Sequence, residues 1–75
     1  MYYNYETLWE VREAKELTQR EVASVLGITP QQYSLYETGR RQMPLDKFKM
    51  LCEFYSISAD YMLGLPKGLL YPDRL

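Results

Sequence analysis

The sequence contains no histidine and only one cysteine, Cys52. The lack of histidine excludes a histidine-based catalytic relay, and a zinc site would have to be built from one cysteine plus carboxylates. The sequence also has no nucleophile motif and no glycine-rich phosphate loop. One cysteine cannot form an internal disulfide, which is typical of a reducing compartment. We therefore expect no metal, no cofactor and no enzymatic activity.

Long apolar runs are missing as well. No stretch approaches the roughly 18 apolar residues of a membrane span, and the first ten residues, MYYNYETLWE, do not show the basic and apolar regions of a secretory signal. We expect a cytoplasmic protein with no membrane partner. The chain has 75 residues, of which 47% are hydrophobic, and this is enough for one domain with one core.

The chain has no overall basic excess, because nine lysine and arginine residues face ten aspartate and glutamate residues. The distribution of charge is more informative than the sum. Residues 18–49 carry five basic and three acidic side chains, a net charge of +2, whereas the segments on both sides are negative. A polyanion is therefore expected to bind the middle of the chain.

Two junctions in this middle segment have the pattern of a helix N-terminus. Thr18 can cap the free backbone amides of a helix, and Glu21 can return the bond to the backbone of Thr18. Thr29 and Gln32 repeat this capping box, with Pro30 at the first helical position, where its missing amide proton costs nothing. Two helices are predicted to begin at these points.

Further proline, serine and glycine residues mark the remaining helix starts and ends. Pro44 and Ser58 indicate two more helix starts, while Gly27, Gly39 and Gly64 are candidates for left-handed helix ends. The apolar residues between these marks have helical spacing. We predict an all-α protein with helices near residues 5–15, 19–26, 30–38, 45–55 and 59–63.

The second and third predicted helices are separated by only about three residues, so they are expected to cross steeply, as in a helix-turn-helix. Ala23 lies where such a crossing needs a small side chain. The stretch from Leu8 to Gly64 resembles the Cro/CI-type (XRE-like) helix-turn-helix domain of bacterial and phage regulators. The matching residues are Arg12, Leu17-Thr18-Gln19, Ala23, Gly27, Ile28, Tyr36-Glu37, Gly39-Arg40-Arg41, Pro44 and the run from Ser58 to Gly64.

This resemblance implies a five-helix, lambda-repressor-like domain over residues 1–64, followed by a short apolar tail over residues 65–75. It further implies a sequence-specific transcriptional regulator of double-stranded DNA, most simply a compact repressor of bacterial or phage origin. In similar domains the third helix enters the major groove. The runner-up function is a protein-interaction module on the same fold, such as an antitoxin-like subunit or an adaptor, which the slight overall acidity favours.

Candidate base-reading residues lie at the start of the third helix. The primary amides of Gln31 and Gln32 can pair with N6 and N7 of adenine, although both side chains also fit an ordinary helix surface, with Gln32 used in its capping box. The apolar side chain of Leu35 is expected to face outward and to suit a thymine methyl group. From the residues and the resemblance together, the predicted base-reading set is Pro30, Gln31, Gln32, Ser34 and Leu35.

Candidate phosphate contacts lie on both sides of that helix. Gln19 is at a helix N-terminus, which attracts anions, and the resemblance assigns this glutamine to a phosphate. Arg40 and Arg41 follow the third helix and could bind the DNA backbone, or they could simply be a solvated pair in a loop. The predicted backbone contacts are Gln19, Arg20, Thr38, Arg40, Arg41 and Gln42.

Arg12 and Glu37 are interpreted differently. Arg12 lies on the apolar side of the first helix, and Glu37 follows Tyr36, a predicted core residue. The resemblance implies that the two form a structural ion pair between the first and third helices. The apolar residues of the tail need a cover, so a homodimer through the fifth helix and the tail is expected, because a twofold dimer reads a palindrome.

Overall fold

The computed structural model describes residues 5–70, and these residues form five α-helices and no strand. The predicted fold is confirmed, and no predicted helix boundary differs from the observed one by more than one residue. The helices are α1 (Tyr5–Ala14), α2 (Gln19–Leu26), α3 (Pro30–Glu37), α4 (Leu45–Tyr55) and α5 (Ala59–Leu63).

Both predicted capping boxes are present. The hydroxyl of Thr18 accepts a hydrogen bond from the Glu21 amide at 3.1 Å, and the Glu21 carboxylate accepts one from the Thr18 amide at 2.9 Å. The same exchange links Thr29 and Gln32 at 3.1 and 3.0 Å. The hydrogen bond from the Thr18 backbone amide lowers the pKa of the Glu21 carboxyl. The two capping boxes together fix where α2 and α3 begin.

The helix ends agree only partly with the sequence prediction. Gly27 is a left-handed cap with φ of 71°, whereas α3 is capped by Thr38 and the left-handed residue, Gly39, comes one position later with φ of 77°. The chain leaves α1 and α4 through left-handed residues that are not glycine, Glu16 and Ser56, each with φ of 56°. Such positions carry no glycine signal in the sequence, so the left-handed conformation at these two helix ends was not predicted.

The start of α4 agrees with the prediction. Pro44 directly precedes the helix, and none of the described side chains caps the helix there. A lysine of α4 binds the C-terminal end of α2. The Lys47 ammonium donates to the carbonyl oxygen of Leu26 at 2.9 Å and so satisfies an end of α2 that has no intrahelical partner.

The core lies where α2 and α3 meet α1, α4 and α5. Ala23 is fully buried, as expected for a residue at the α2–α3 crossing. Cys52 is buried like a small apolar residue, and this burial raises the pKa of its thiol. The buried apolar side chains are Leu8, Val11, Val22, Ala23, Leu26, Tyr33, Tyr36, Met43, Phe48, Leu51, Cys52, Tyr55 and Met62.

The segment after α5 contrasts with this core. Residues 65–70 are all exposed, and Leu70 reaches 89% exposure. The rest of the predicted tail, residues 71–75, lies outside the described residues. Within residues 5–70, no helix has the length and apolar character needed to cross a membrane, and no group of three potential metal-binding side chains occurs.

Candidate nucleic-acid interface

The two glutamines at the start of α3 are not equivalent. Both side chains are exposed. The amide oxygen of Gln32 accepts a hydrogen bond from the backbone amide of Thr29 at 3.0 Å, so this oxygen is already in use. The side chain of Gln31 extends from the first turn of α3 on the exposed side, next to the half-buried Pro30. Gln31 is therefore the better placed of the two for a bidentate contact with a base.

The next turn of α3 presents less polar surface. Ser34 and Leu35 are both half-buried, so Leu35 is less fully turned to solvent than the sequence suggested. On the opposite side of the helix, Tyr33, Tyr36 and Glu37 are buried. Helix α3 thus has one face that packs in the bundle and another face that is accessible to a ligand.

The turn after α3 presents the two arginines. Gly39 adopts the left-handed conformation, and the amides of Arg40 and Arg41 then donate to the carbonyl oxygen of Leu35 at 3.0 and 3.1 Å. This bonding folds the turn back onto the helix end, while both arginine side chains and that of Gln42 are exposed. Two guanidinium groups therefore lie beyond the C-terminal end of α3.

Thr38, at the same end, is already engaged. Its hydroxyl donates to the carbonyl oxygen of Ser34 at 2.8 Å. A hydroxyl carries one donor proton, so Thr38 can donate to a phosphate only after releasing this bond. Of the residues at this end that were predicted to contact the DNA backbone, the two arginines and Gln42 are the more accessible.

A cleft of about 480 Å³ joins this end of α3 to the start of α2. Gln19, the first residue of α2, is half-buried in it, and Arg20 is exposed beside it. The cleft brings two predicted phosphate contacts, Gln19 and Thr38, to one surface, which their separation in the sequence did not show. Its walls are formed by Tyr5, Glu6, Trp9, Glu10, Arg12, Gln19, Glu37 and Thr38.

In the wall of the cleft, Arg12 and Glu37 form a buried ion pair. The Arg12 Nε and Nη2 atoms donate to the two carboxylate oxygens of Glu37, with closest distances of 2.9 and 2.8 Å. The remaining terminal nitrogen, Nη1, donates to the carbonyl oxygen of Leu17 at 2.7 Å. The hydrogen bond to Glu37 raises the pKa of Arg12. One guanidinium therefore ties α1 both to α3 and to the loop before α2.

Two tyrosine hydroxyls lie buried beneath α3. Within the described residues, neither the Tyr33 nor the Tyr55 hydroxyl has a hydrogen-bond partner. Burial raises the pKa of both phenols, that of Tyr55 to about 12. These rings contribute apolar packing to the underside of the helix, and they remain neutral at physiological pH.

Comparison with known proteins identifies the family. Residues 10–62 match the helix-turn-helix family model. The chain is 40% identical over 58 residues to an uncharacterized HTH-type transcriptional regulator, YobD, of Bacillus subtilis, covering 77% of this chain and 52% of YobD. It is 33% identical over 64 residues to the HTH-type transcriptional regulator AnsR of the same organism, covering 85% of this chain and 55% of AnsR.

The fold has a parallel among solved structures. A crystal structure of a transcriptional regulator from Listeria innocua superposes with a TM-score of 0.80 at 16% identity, covering 96% of this chain and 68% of that one. The chain spans about half the length of the curated relatives that it matches. Since the family match extends over the two helices and the turn described above, the chain belongs to the helix-turn-helix family.

Proposed function

We propose that this chain binds double-stranded DNA, with α3 in the major groove, and acts as a compact transcriptional repressor that blocks a promoter. One observation carries the proposal. The exposed amide of Gln31 lies at the start of α3, and the exposed Arg40 and Arg41 follow the end of the same helix. A base-reading group and phosphate-binding groups are thereby arranged along one element. The names of the bacterial relatives support a regulatory role.

In this proposal Gln31 is the principal base reader. Gln32 contributes its amide nitrogen, or its whole amide after releasing the Thr29 backbone. Leu35 approaches a thymine methyl group, and Pro30 and Ser34 limit how closely the helix sits in the groove. A single strongly polar reader predicts a modest preference among sequences, and binding that depends heavily on contacts with the DNA backbone.

The phosphate contacts are proposed for Gln19, Arg20, Thr38, Arg40, Arg41 and Gln42. If the three cationic members of this set, Arg20, Arg40 and Arg41, each neutralise one phosphate, the logarithm of the binding constant should fall with the logarithm of salt concentration at a slope of about −2.7 per monomer. Repression by occupancy of a bacterial or phage promoter places the protein in the cytoplasm, where the DNA lies. A binding role of this kind requires no catalysis and no cofactor.

Gln31→Ala should weaken binding to the selected cognate site by about 1–3 kcal/mol and leave binding to random duplex almost unchanged, because it removes a base contact only. The cognate site comes from selection of bound genomic fragments, and fluorescence anisotropy measures both affinities. Gln42→Ala is the matched control. This variant also removes an exposed glutamine, but one that is predicted to contact the DNA backbone. It should therefore affect binding to both DNAs equally. Equal losses for Gln31→Ala on the two DNAs would show that Gln31 does not read bases.

We also propose a homodimer formed by α5 and the tail. Tyr61, Leu65, Leu69 and Leu70 are exposed along this segment. Beside them a mostly apolar cleft of about 480 Å³ is lined by Val11, Ala14, Lys15, Ile57 and Tyr61. Burial of this surface against a second copy would remove apolar area from water.

Light scattering tests the dimer. The wild-type protein should be dimeric at micromolar concentration, and Leu69→Ser/Leu70→Ser should shift it toward the monomer because the variant makes the proposed interface polar. Leu45→Ser is the control, since Leu45 is an exposed leucine on a different helix. A wild-type monomer, both with and without DNA, would exclude this interface.

The second candidate is a protein-interaction module, either antitoxin-like or an adaptor. The net charge of −1 and the half-buried Leu35 on the proposed reading face favour it. Titration of the protein into random duplex at low salt separates the two functions. A regulator should bind weakly with a steep salt dependence, whereas an interaction module should show no binding.

A further inference from the structure

The first residue of α1 packs on the turn that carries the two arginines. A β-carbon placed on Gly39 would lie 2.8 Å from both Cδ1 and Cε1 of the Tyr5 ring, closer than two such carbons approach. The ring therefore lies directly on the Gly39 backbone, and only a glycine leaves room for it. At Gly27, a β-carbon would meet nothing within 4 Å. The close contact is thus specific to the turn after α3.

This contact lies next to the proposed phosphate-binding groups. Gly39 has φ of 77°, and the amides of Arg40 and Arg41, which follow it, both donate to the Leu35 carbonyl oxygen. The Tyr5 ring covers the point at which the chain changes direction before the arginines. Tyr5 also lines the cleft that contains Gln19, so it borders the protein surface that we propose to bind the DNA phosphates.

The burial pattern separates Tyr5 from the core. Its side chain is 43% exposed, and it does not belong to the buried apolar cluster. The stability of the bundle therefore depends little on this ring. Outside its own helix the ring packs on the turn at Gly39, and a side chain packed on a left-handed glycine restricts the backbone around it.

We propose that Tyr5 is a positioning residue for DNA binding, whose ring packs on Gly39 and holds the Arg40–Arg41 turn in the conformation that meets the phosphates. The inference rests on the proposed function. A turn that is fixed before binding loses less conformational freedom when the complex forms. Tyr5 raises affinity through the arginines without touching the DNA.

Tyr5→Ala should lower the affinity for duplex DNA about tenfold, because the turn must then be ordered on binding. The midpoint of urea unfolding should change little. Tyr5→Phe should bind as the wild type, since the ring and not the hydroxyl makes the contact. Phe54→Ala is the matched control, because Phe54 is a comparably exposed aromatic residue, at 44%, on α4, and this variant should keep wild-type affinity.

A double-mutant cycle tests the route of the effect. In the Arg40→Ala/Arg41→Ala background, Tyr5→Ala should reduce the affinity by less than about twofold, because the groups it positions are gone. Independently of DNA, Tyr5→Ala should accelerate hydrogen exchange of the Arg40 and Arg41 amides. Fully additive losses in the cycle, unchanged exchange, or a loss in Tyr5→Phe equal to that in Tyr5→Ala would each overturn the inference.

These experiments distinguish a failure of the proposed DNA-binding mode from a failure of the proposed role of Tyr5. If DNA binding is insensitive to Arg40→Ala/Arg41→Ala, the proposed mode of DNA binding fails and the role of Tyr5 fails with it. If binding needs the arginines but Tyr5→Ala binds as the wild type, only the role of Tyr5 is wrong.

Discussion

Arg12→Ala is expected to lower the free energy of unfolding by about 3–5 kcal/mol, a large share of the roughly 5–15 kcal/mol that stabilises a typical domain. The reason is the buried carboxylate of Glu37, which accepts two of its hydrogen bonds from the Arg12 side chain at 2.8 and 2.9 Å. Without the guanidinium, this negative charge stays buried and unpaired, and the carbonyl oxygen of Leu17 loses its side-chain donor. Urea unfolding followed by circular dichroism measures the change.

Two further variants make this prediction specific. Arg20→Ala removes an exposed arginine of α2 and should change stability by no more than about 0.5 kcal/mol. Arg12→Met/Glu37→Leu replaces the pair by apolar side chains, and it should recover most of the loss because no charge remains buried. An Arg12→Ala protein within a few tenths of a kcal/mol of the wild type would refute the structural role of the pair.

Arg40→Ala/Arg41→Ala is expected to reduce the affinity for duplex DNA about 200-fold at 50 mM salt, if the two proteins bind equally at 1 M salt and differ only in counterion release. Each neutralised phosphate contributes about 0.9 to the slope of log affinity against log salt. Two fewer contacts should therefore reduce the slope from about −2.7 to about −0.9. Anisotropy titrations on random duplex at several salt concentrations give both quantities.

Lys49→Ala/Lys67→Ala is the control for this pair. It also removes two exposed positive charges, but from α4 and the tail, outside the predicted contacts, so the salt slope should remain close to that of the wild type. If the two double variants lose affinity equally, the effect is one of net charge, and the arginine turn has no special role. If neither variant changes binding, the DNA-binding proposal for this surface fails.

The sequence was sufficient to predict the five helices because their boundaries depend on local chemistry. Thr18 and Thr29 each satisfy backbone amides within three residues, and these bonds are present in the structure. The pairing of Arg12 with Glu37 spans 25 positions in the chain. No periodicity could predict this contact, and it was expected only because similar domains place the same residue types at these positions.

Several features of the structure depend on tertiary contacts and were therefore not predicted. The left-handed conformations of Glu16 and Ser56 follow from the paths between packed helices, since neither residue type requires them. The contact of Tyr5 with Gly39 joins residues 34 positions apart, and only the packing of α1 against α3 creates it. The sequence offered one signal for it, a glycine directly before two arginines.

The division of α3 into two faces affects how this protein can diverge. Tyr33, Tyr36 and Glu37 anchor the helix, while Gln31 and Leu35 alternate with them along the same eight residues. Substitutions at the outward positions alter few buried contacts, so under the proposed mode of DNA binding the preference among DNA sequences can change while the architecture stays constant. A new specificity is then accessible by exchanging one or two side chains, without a compensating change elsewhere in the chain.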